Sequence, residues 1–228
     1  MAALFLTGCG HDSIKYRRAP YLGWDMDLIN GPVQSAEYSM SVVKDDGTEE
    51  TRINVTCWFD SEGRISKMKE VDPRSGYEII TDKTYKGDIC INATFDDGSD
   101  DGLAETFVKE EGNRRIFERT SKNSDIIMTV EYVYGDNYYD VFIDGLKSSR
   151  EYFNKKGQVT RFEGYDGDNL THVKTYEYND DFLQTSSDGP EAVVFSYENY
   201  DDNGNWTLCR MHDLRTDITF VLRRTLTY

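Results

Sequence analysis

The feature that most constrains this chain is a period-two alternation of apolar and polar residues from about Tyr21 to the C-terminus, with helical periodicity scarcely visible. Tyr38, Met40 and Val42 share a face, as do Ile53, Val55, Cys57 and Phe59, and then Ile89, Ile91, Ala93 and Phe95, with Cys90, Asn92 and Thr94 opposite. At the end, Ile218, Phe220, Leu222, Leu226 and Tyr228 line one side, interrupted by Arg224, while Thr219, Val221, Thr225 and Thr227 line the other. Successive side chains of a strand point to opposite faces, so these runs read as strands with one wet face.

Turn signals separate the runs: Asp45-Asp46-Gly47, Asp60-Ser61-Glu62-Gly63, Asn154-Lys155-Lys156-Gly157 and Asp201-Asp202-Asn203-Gly204. In the longer ones Asp or Asn opens a type I turn by accepting backbone hydrogen bonds, and the Gly three residues later takes positive φ. Gly63, Gly157 and Gly204 are therefore expected in the left-handed region. About fifteen short strands follow from this reading, with no helical crossovers. The fold class expected is all-β, an antiparallel meander of hairpins arranged as a sandwich, an open sheet or a partial barrel. A length of 228 residues fits one such domain.

Charge excludes one class of partner. Lys and Arg total 26 against 42 Asp and Glu, a net charge of -16, and a surface this anionic repels phosphate backbones. Nucleic acid is not expected as a partner. No stretch approaches the roughly 20 apolar residues of a spanning helix, so membrane attachment would need a lipid or a partner.

The first nine residues, MAALFLTGC, form a short apolar run ending in Leu6-Thr7-Gly8-Cys9 and resemble the lipobox of bacterial lipoproteins. The resemblance implies that small residues let the backbone enter a signal peptidase, that Cys9 accepts diacylglycerol and palmitate-type acyl chains, and that it becomes the first residue. The pattern departs from the family in lacking a basic start. Residues 10–20 carry few apolar residues and no period, as a tether would. The division expected is 1–8 signal remnant, 9–20 lipidated tether and 21–228 a single β domain. Asp12-Ser13-Ile14 resembles a Bacteroidetes O-glycosylation signal, though an ordinary polar linker explains it as well. Gly10 stands where inner-membrane retention signals place Asp, which points to the outer membrane.

The turns look like fragments of a repeat: an aromatic residue, Asp or Asn, two variable residues, Gly, one residue and an apolar one. Phe59 to Ile65, Phe153 to Val159 and Tyr200 to Trp206 fit; Tyr178 to Leu183 fits with Phe182 in place of Gly, and Tyr165 to Leu170 in shortened form. This resembles the YD repeats of RHS-type proteins, and the last third resembles small uncharacterised Bacteroidetes lipoproteins. The resemblance implies stacked hairpins at the cell envelope.

Catalytic chemistry has no motif here. The three histidines, His11, His172 and His212, lack zinc spacing, and the latter two are expected to face solvent. Carboxylate pairs of the glycosidase type are uninformative among 42 acidic residues. The run Asp96 to Gly102 offers calcium-type oxygens, but Val108 stands where a bidentate Glu belongs, so an acidic hairpin loop is the better reading. No metal or cofactor is expected. With Cys9 acylated, Cys57, Cys90 and Cys209 remain, read as buried free thiols with at most one disulfide. Tyr176 and Tyr178 fall on one side of a strand and Trp206 follows the last long turn. Rings there make good cores or can stack on a ligand, and these three are the candidate ligand-binding residues.

The reading is a non-enzymatic lipoprotein of the cell envelope that presents a β-sheet surface to glycan or protein. The alternatives are an envelope carbohydrate-active enzyme with paired carboxylates and a structural component of an outer-membrane complex.

Overall fold

In the computed structural model, residues 21–22 and 28–228 are described, apart from positions 88, 100, 101, 123, 156, 181, 182, 190 and 191. Cys9, the 9–20 tether and Phe182 lie outside the described residues. Two short strands, β1 (Tyr21–Leu22) and β2 (Leu28–Ile29), pair with each other. Sixteen more form the body: β3 (Ser35–Val43), β4 (Glu49–Phe59), β5 (Ile65–Asp72), β6 (Tyr77–Lys86), β7 (Ile89–Asp96), β8 (Leu103–Glu111), β9 (Arg114–Ser121), β10 (Ser124–Tyr134), β11 (Tyr138–Ile143), β12 (Leu146–Phe153), β13 (Val159–Asp166), β14 (Asn169–Tyr178), β15 (Gln184–Asp188), β16 (Val193–Tyr200), β17 (Trp206–Asp213) and β18 (Ile218–Thr227).

Every consecutive pair from β3 to β18 is antiparallel, as the alternation and turns require, and the sheet is a closed barrel. Closure corrects the expectation of a sandwich or open sheet and completes the partial barrel. It is made by the two ends of the domain: β18 pairs with β3 from Phe220↔Val42 to Thr227↔Ser35. Twist summed over sixteen strands brings these sequence-distant strands together, and no barrel strand keeps an open edge.

A meander sends its turns alternately to two rims. The turns after β4, β6, β8, β10, β12, β14 and β16 lie on the rim where β3 begins and β18 ends, here the entry rim. The other turns lie on the far rim.

On the entry rim one turn design recurs. Asp60 Oδ1 accepts from the backbone N–H of Glu62 and Arg64 at 2.9 and 3.0 Å, Asp201 Oδ1 from Asn203 and Asn205 at 3.0 and 2.9 Å, Asn154 Oδ1 from Gln158 at 3.1 Å, and Asn179 Oδ1 from Leu183 at 2.9 Å. Gly63, Gly157 and Gly204 sit at φ 78°, 82° and 78°, as expected. The aromatic residue before each turn pairs with the sixth residue after it: Phe59↔Ile65, Phe153↔Val159, Tyr178↔Gln184 and Tyr200↔Trp206. One residue further on, a hydroxyl donates to the carbonyl two residues before the turn: Ser66 to Trp58 (3.2 Å), Thr160 to Tyr152 (3.3 Å) and Thr207 to Asn199 (2.7 Å). In the first two cases that residue is the extra one of a bulge.

The inward face carries the core in two clusters. One, on β7 to β12, contains Cys90, Ala93, Phe95, Phe117, Val130, Tyr132, Tyr139 and Phe153. The other, on β3 to β5 with β17, β18 and Leu183, contains Ala36, Tyr38, Val55, Cys57, Met68, Trp206, Cys209 and Leu222. Each fully buried side chain such as Phe117 or Val130 contributes roughly 1.5–3 kcal/mol. Edge-to-face contacts link Phe107, Phe117, Tyr132 and Tyr139 at 5.4–5.7 Å.

One face assignment is corrected. Cys90 was expected opposite Ala93, yet both are fully buried in one cluster. The register passes from Thr84↔Asn92 to Tyr85↔Cys90, so Ile91 is an extra residue and the alternation changes phase across it. Arg224 lies on the apolar face of β18, as expected, and is 2% exposed within it.

Candidate functional site

The outer wall of the barrel is polar. Cross-strand ion pairs cover it: Lys69–Glu78 at 2.6 Å, Arg223–Glu49 at 2.6 Å, Arg210–Glu198 at 3.2 Å and Arg114–Glu131 at 3.5 Å. A barrel in hydrocarbon needs the reverse, an apolar outer band, and a Lys or Arg facing lipid near the midplane costs about 2–4 kcal/mol. This wall is built for water.

A denser network lies on the outside of β11 to β13. Arg150 binds Asp140 through Nε at 2.7 Å and Nη2 at 2.6 Å, and Lys147 reaches the same carboxylate at 3.0 Å. Glu163 accepts from Tyr165 Oη at 2.6 Å and Arg161 Nε at 2.8 Å. Arg150 also covers Tyr138 at 4.2 Å, and Lys147 covers Tyr165 at 3.9 Å. Burial pushes the Asp140 carboxyl up, but the bonds from Arg150 and Lys147 outweigh it and hold the group below its ordinary value. Charges and rings here satisfy one another, a geometry that stiffens the wall.

Inside, a polar row crosses the first core cluster. Lys83 pairs in register with Ala93, Ala93 with Glu105, and Glu105 with Arg119. Glu105 is fully buried and takes Arg119 Nη2 at 2.7 Å. Burial holds the hydroxyls of neighbouring Tyr132 and Tyr139 well above the ordinary tyrosine value, so both are neutral donors at physiological pH.

The rims differ from the wall and from each other. At the entry rim, residues 28–34 lie as a strap against the ends of β4, β17 and β18, with Ile29 and Val33 buried; Gln34 N–H donates to Thr227 O at 2.7 Å and Phe59 N–H to Gln34 O at 3.0 Å. Asn205, itself 2% exposed, accepts from Asn30 N–H at 2.8 Å and donates to Asn30 O at 2.9 Å and to Tyr228 Oη at 2.8 Å. Tyr228 Oη in turn donates to Asp201 at 2.6 Å. The far rim leaves apolar side chains in water: Tyr77, Ile127, Leu146, Leu170, Val194, Leu214 and Ile218, seven of the ten exposed large hydrophobics among the described residues, cluster at or just inside its turns. Tyr77, Asp96 and Asp97 also line a shallow depression of about 520 Å³ there, where Tyr77 donates to Asp97 at 2.8 Å. Bonds from Ser99 and Tyr77 hold the Asp97 carboxyl at about 2.

The expected ligand-binding trio is not brought together as an exposed row. Trp206 is 1% exposed, with the Arg224 guanidinium stacked on it at 3.8 Å. Tyr178 is half-buried and donates to Val159 O at 2.8 Å. Tyr176 is half-buried, with Lys174 Nζ 5.5 Å from its ring; both tyrosines follow the inward phase set by Phe162↔Lys174. His172 is exposed, as expected, and His212 is half-buried beside Thr219 at 3.1 Å. Cys57, Cys90 and Cys209 are buried free thiols. Among the described residues no group of three or more His, Cys, Asp or Glu is placed to hold a metal. The reading from sequence missed Leu146, Leu170 and Leu214, although an apolar residue beside a Gly or Asp turn was a visible signal. Arg224 and Glu105 carried none, since a charge in an alternating strand ordinarily marks the wet face.

No protein-family model matches the sequence, and no curated protein does. In fold the chain is similar to a solved porin-like protein from Bacteroides uniformis, with a TM-score of 0.55 and 14% identity over 87% of this chain and 98% of that one. A LolA superfamily protein from Nitrosomonas europaea (TM-score 0.29, 11% identity, 88% of both chains) and a DUF1329 family protein from Desulfovibrio piger (0.28, 14%, 86% of both) overlap in extent but not in geometry. The likeness to the porin-like protein is one of fold.

Proposed function

We propose that the chain is a cell-envelope lipoprotein, held to the outer membrane through acylated Cys9, whose barrel stands in water and offers its far rim to a partner. The single observation that carries this is the separation of the rims. The strap that leads back to the N-terminus lies on the entry rim, and the exposed aliphatic residues gather on the opposite one. A tether of about a dozen residues on the first rim turns the second away from the bilayer. The polar wall supports the reading, because a barrel that cannot face lipid needs another attachment, and the fold likeness to a porin-like protein from a Bacteroides is in keeping with the envelope.

Contiguous apolar patches on a soluble surface mark contact sites. Leu146, Leu170 and Leu214 favour a protein partner; the Tyr77 depression, with a ring beside carboxylates, favours a glycan as the second reading. The attachment is tested by fatty-acid labelling of cells carrying the wild type and Cys9→Ser, any upstream signal included. Label in the wild type and none in the variant is expected; label retained by Cys9→Ser overturns the anchor. The rim is tested by placing a photo-crosslinking residue at Leu146 or Leu170 and, as control, at Thr106 on the wall. Discrete adducts at the rim positions alone are expected, and equal or no adducts overturn the protein reading. Glycan-array binding lost in Tyr77→Ala would favour the second.

A further inference from the structure

Arg224 is the group in this molecule that folding explains least. Its guanidinium is 2% exposed, Nε donates to Trp206 O at 3.1 Å, and its plane lies 3.8 Å from the Trp206 ring. Its in-register neighbour on β3 is Tyr38, also buried. Among the described residues, Nη1 and Nη2 have no hydrogen-bond partner. Buried polar groups are almost always satisfied, and an uncompensated buried charge is among the most destabilising features a fold can carry. Packing alone would have been served by Leu or Met at this position.

The geometry points to an oxyanion-binding site at Arg224, floored by Trp206 and next to the entry rim, where Asn205 clasps the 28–34 strap. Nε is committed to Trp206 O and one face of the guanidinium is committed to the indole, which fixes the plane. What remains is the Nη1–Nη2 edge, the fork that engages a carboxylate or phosphate with two parallel hydrogen bonds. The indole excludes water from one face and strengthens those bonds in a low-dielectric setting. Access follows from the strap: Asn205, which precedes Trp206, clasps Asn30, so the clasp and the floor are adjacent in sequence. Release of Asn30 would loosen the entry rim beside Trp206 and so admit a ligand to the Nη1–Nη2 edge. The ligand class is a small carboxylate or phosphate, free or as the acidic group of a larger molecule. This site shares no residue with the far rim and stands or falls separately from it.

Thermal melts of the full chain test it, at constant ionic strength in chloride with increasing acetate in one arm and inorganic phosphate in the other. The wild type should show a rise of roughly 5–10 °C once anion exceeds its dissociation constant a hundredfold, growing with the logarithm of concentration. The arm whose rise begins at lower concentration identifies the group. Arg224→Met should lose the response while melting in chloride at or above the wild-type temperature, because it removes a buried charge rather than a satisfied one. Arg224→Lys keeps the charge but not the fork, and should respond at least tenfold more weakly; it serves if the Met variant does not fold. A wild type that responds to neither anion, or responses of equal size in wild type and Arg224→Lys, overturns the proposal.

Discussion

The two rims of this barrel solve the same problem, reversing a strand, with different chemistry. On the entry rim the last strand residue is aromatic in five of seven turns (Phe59, Tyr134, Phe153, Tyr178 and Tyr200), and in four of these an Asp or Asn follows to organise the turn. On the far rim Asp itself is the last strand residue in five of eight: Asp72, Asp96, Asp166, Asp188 and Asp213. An aromatic residue before the turn can lie against the barrel end, as Phe153 does at 5% exposure. On the far rim the apolar residues beside the turns, such as Leu146, Leu170 and Leu214, stay in water. The difference teaches that two rims of one meander can leave very different amounts of apolar surface in water.

The largest effect that would sharpen this comparison belongs to the far rim. Gly189 has φ +133°, and a Cβ there would stand 2.5 Å from the Val173 carbonyl oxygen. Gly189→Ala should therefore cost about 2–3 kcal/mol, read as a fall in urea midpoint at unchanged slope. An unaltered midpoint would mean that this rim relaxes freely around the added Cβ.

Next in size is the clasp. Asn205→Ala strands the N–H and C=O of Asn30 and should cost about 2 kcal/mol, whereas Asp72→Ala on the far rim removes an exposed bond to Arg74 and should leave the melting temperature unmoved. Equal losses would erase the distinction between the rims.

The smallest effect is in pH dependence. Burial pushes the Asp60 and Asp201 carboxyls up, but bonds from Arg64 to the first, and from Tyr228 and Asn205 to the second, hold both below the ordinary value. A depressed carboxyl stabilises above its unfolded pKa, and that contribution fades as pH falls through the folded one, so stability should drop below about pH 4. Asp72 and Asp97 are depressed to about 2 with the same sign, but burial weighs less on them than on Asp60 and Asp201. High salt should abolish their share of the acid slope and leave that of the entry rim, seen as the difference between Asp72→Asn and Asp201→Asn in melts across pH. If salt removes both, the entry-rim bonds are no better shielded than the far ones.

Much of the fold was legible because it is written locally. Alternation gave the strands, and the Asp or Asn with Gly three residues on gave the turns of Gly63, Gly157 and Gly204. The functional surfaces were less legible. Trp206 read as a ring after a turn and proved to be core, since position in a turn motif says nothing about what closes over it. Cys90 read as outward because a one-residue bulge at Ile91 shifts the phase without changing composition.

The sequence by itself determined an antiparallel meander and an outer face that suits water, because side-chain alternation and turn dihedrals are set within a few residues of each site. Only the tertiary structure decided that β18 meets β3, that Arg224 lies on Trp206 inside the barrel, and that apolar residues from separate turns share one rim. Those outcomes depend on register and twist accumulated over sixteen strands, quantities to which no local pattern is sensitive.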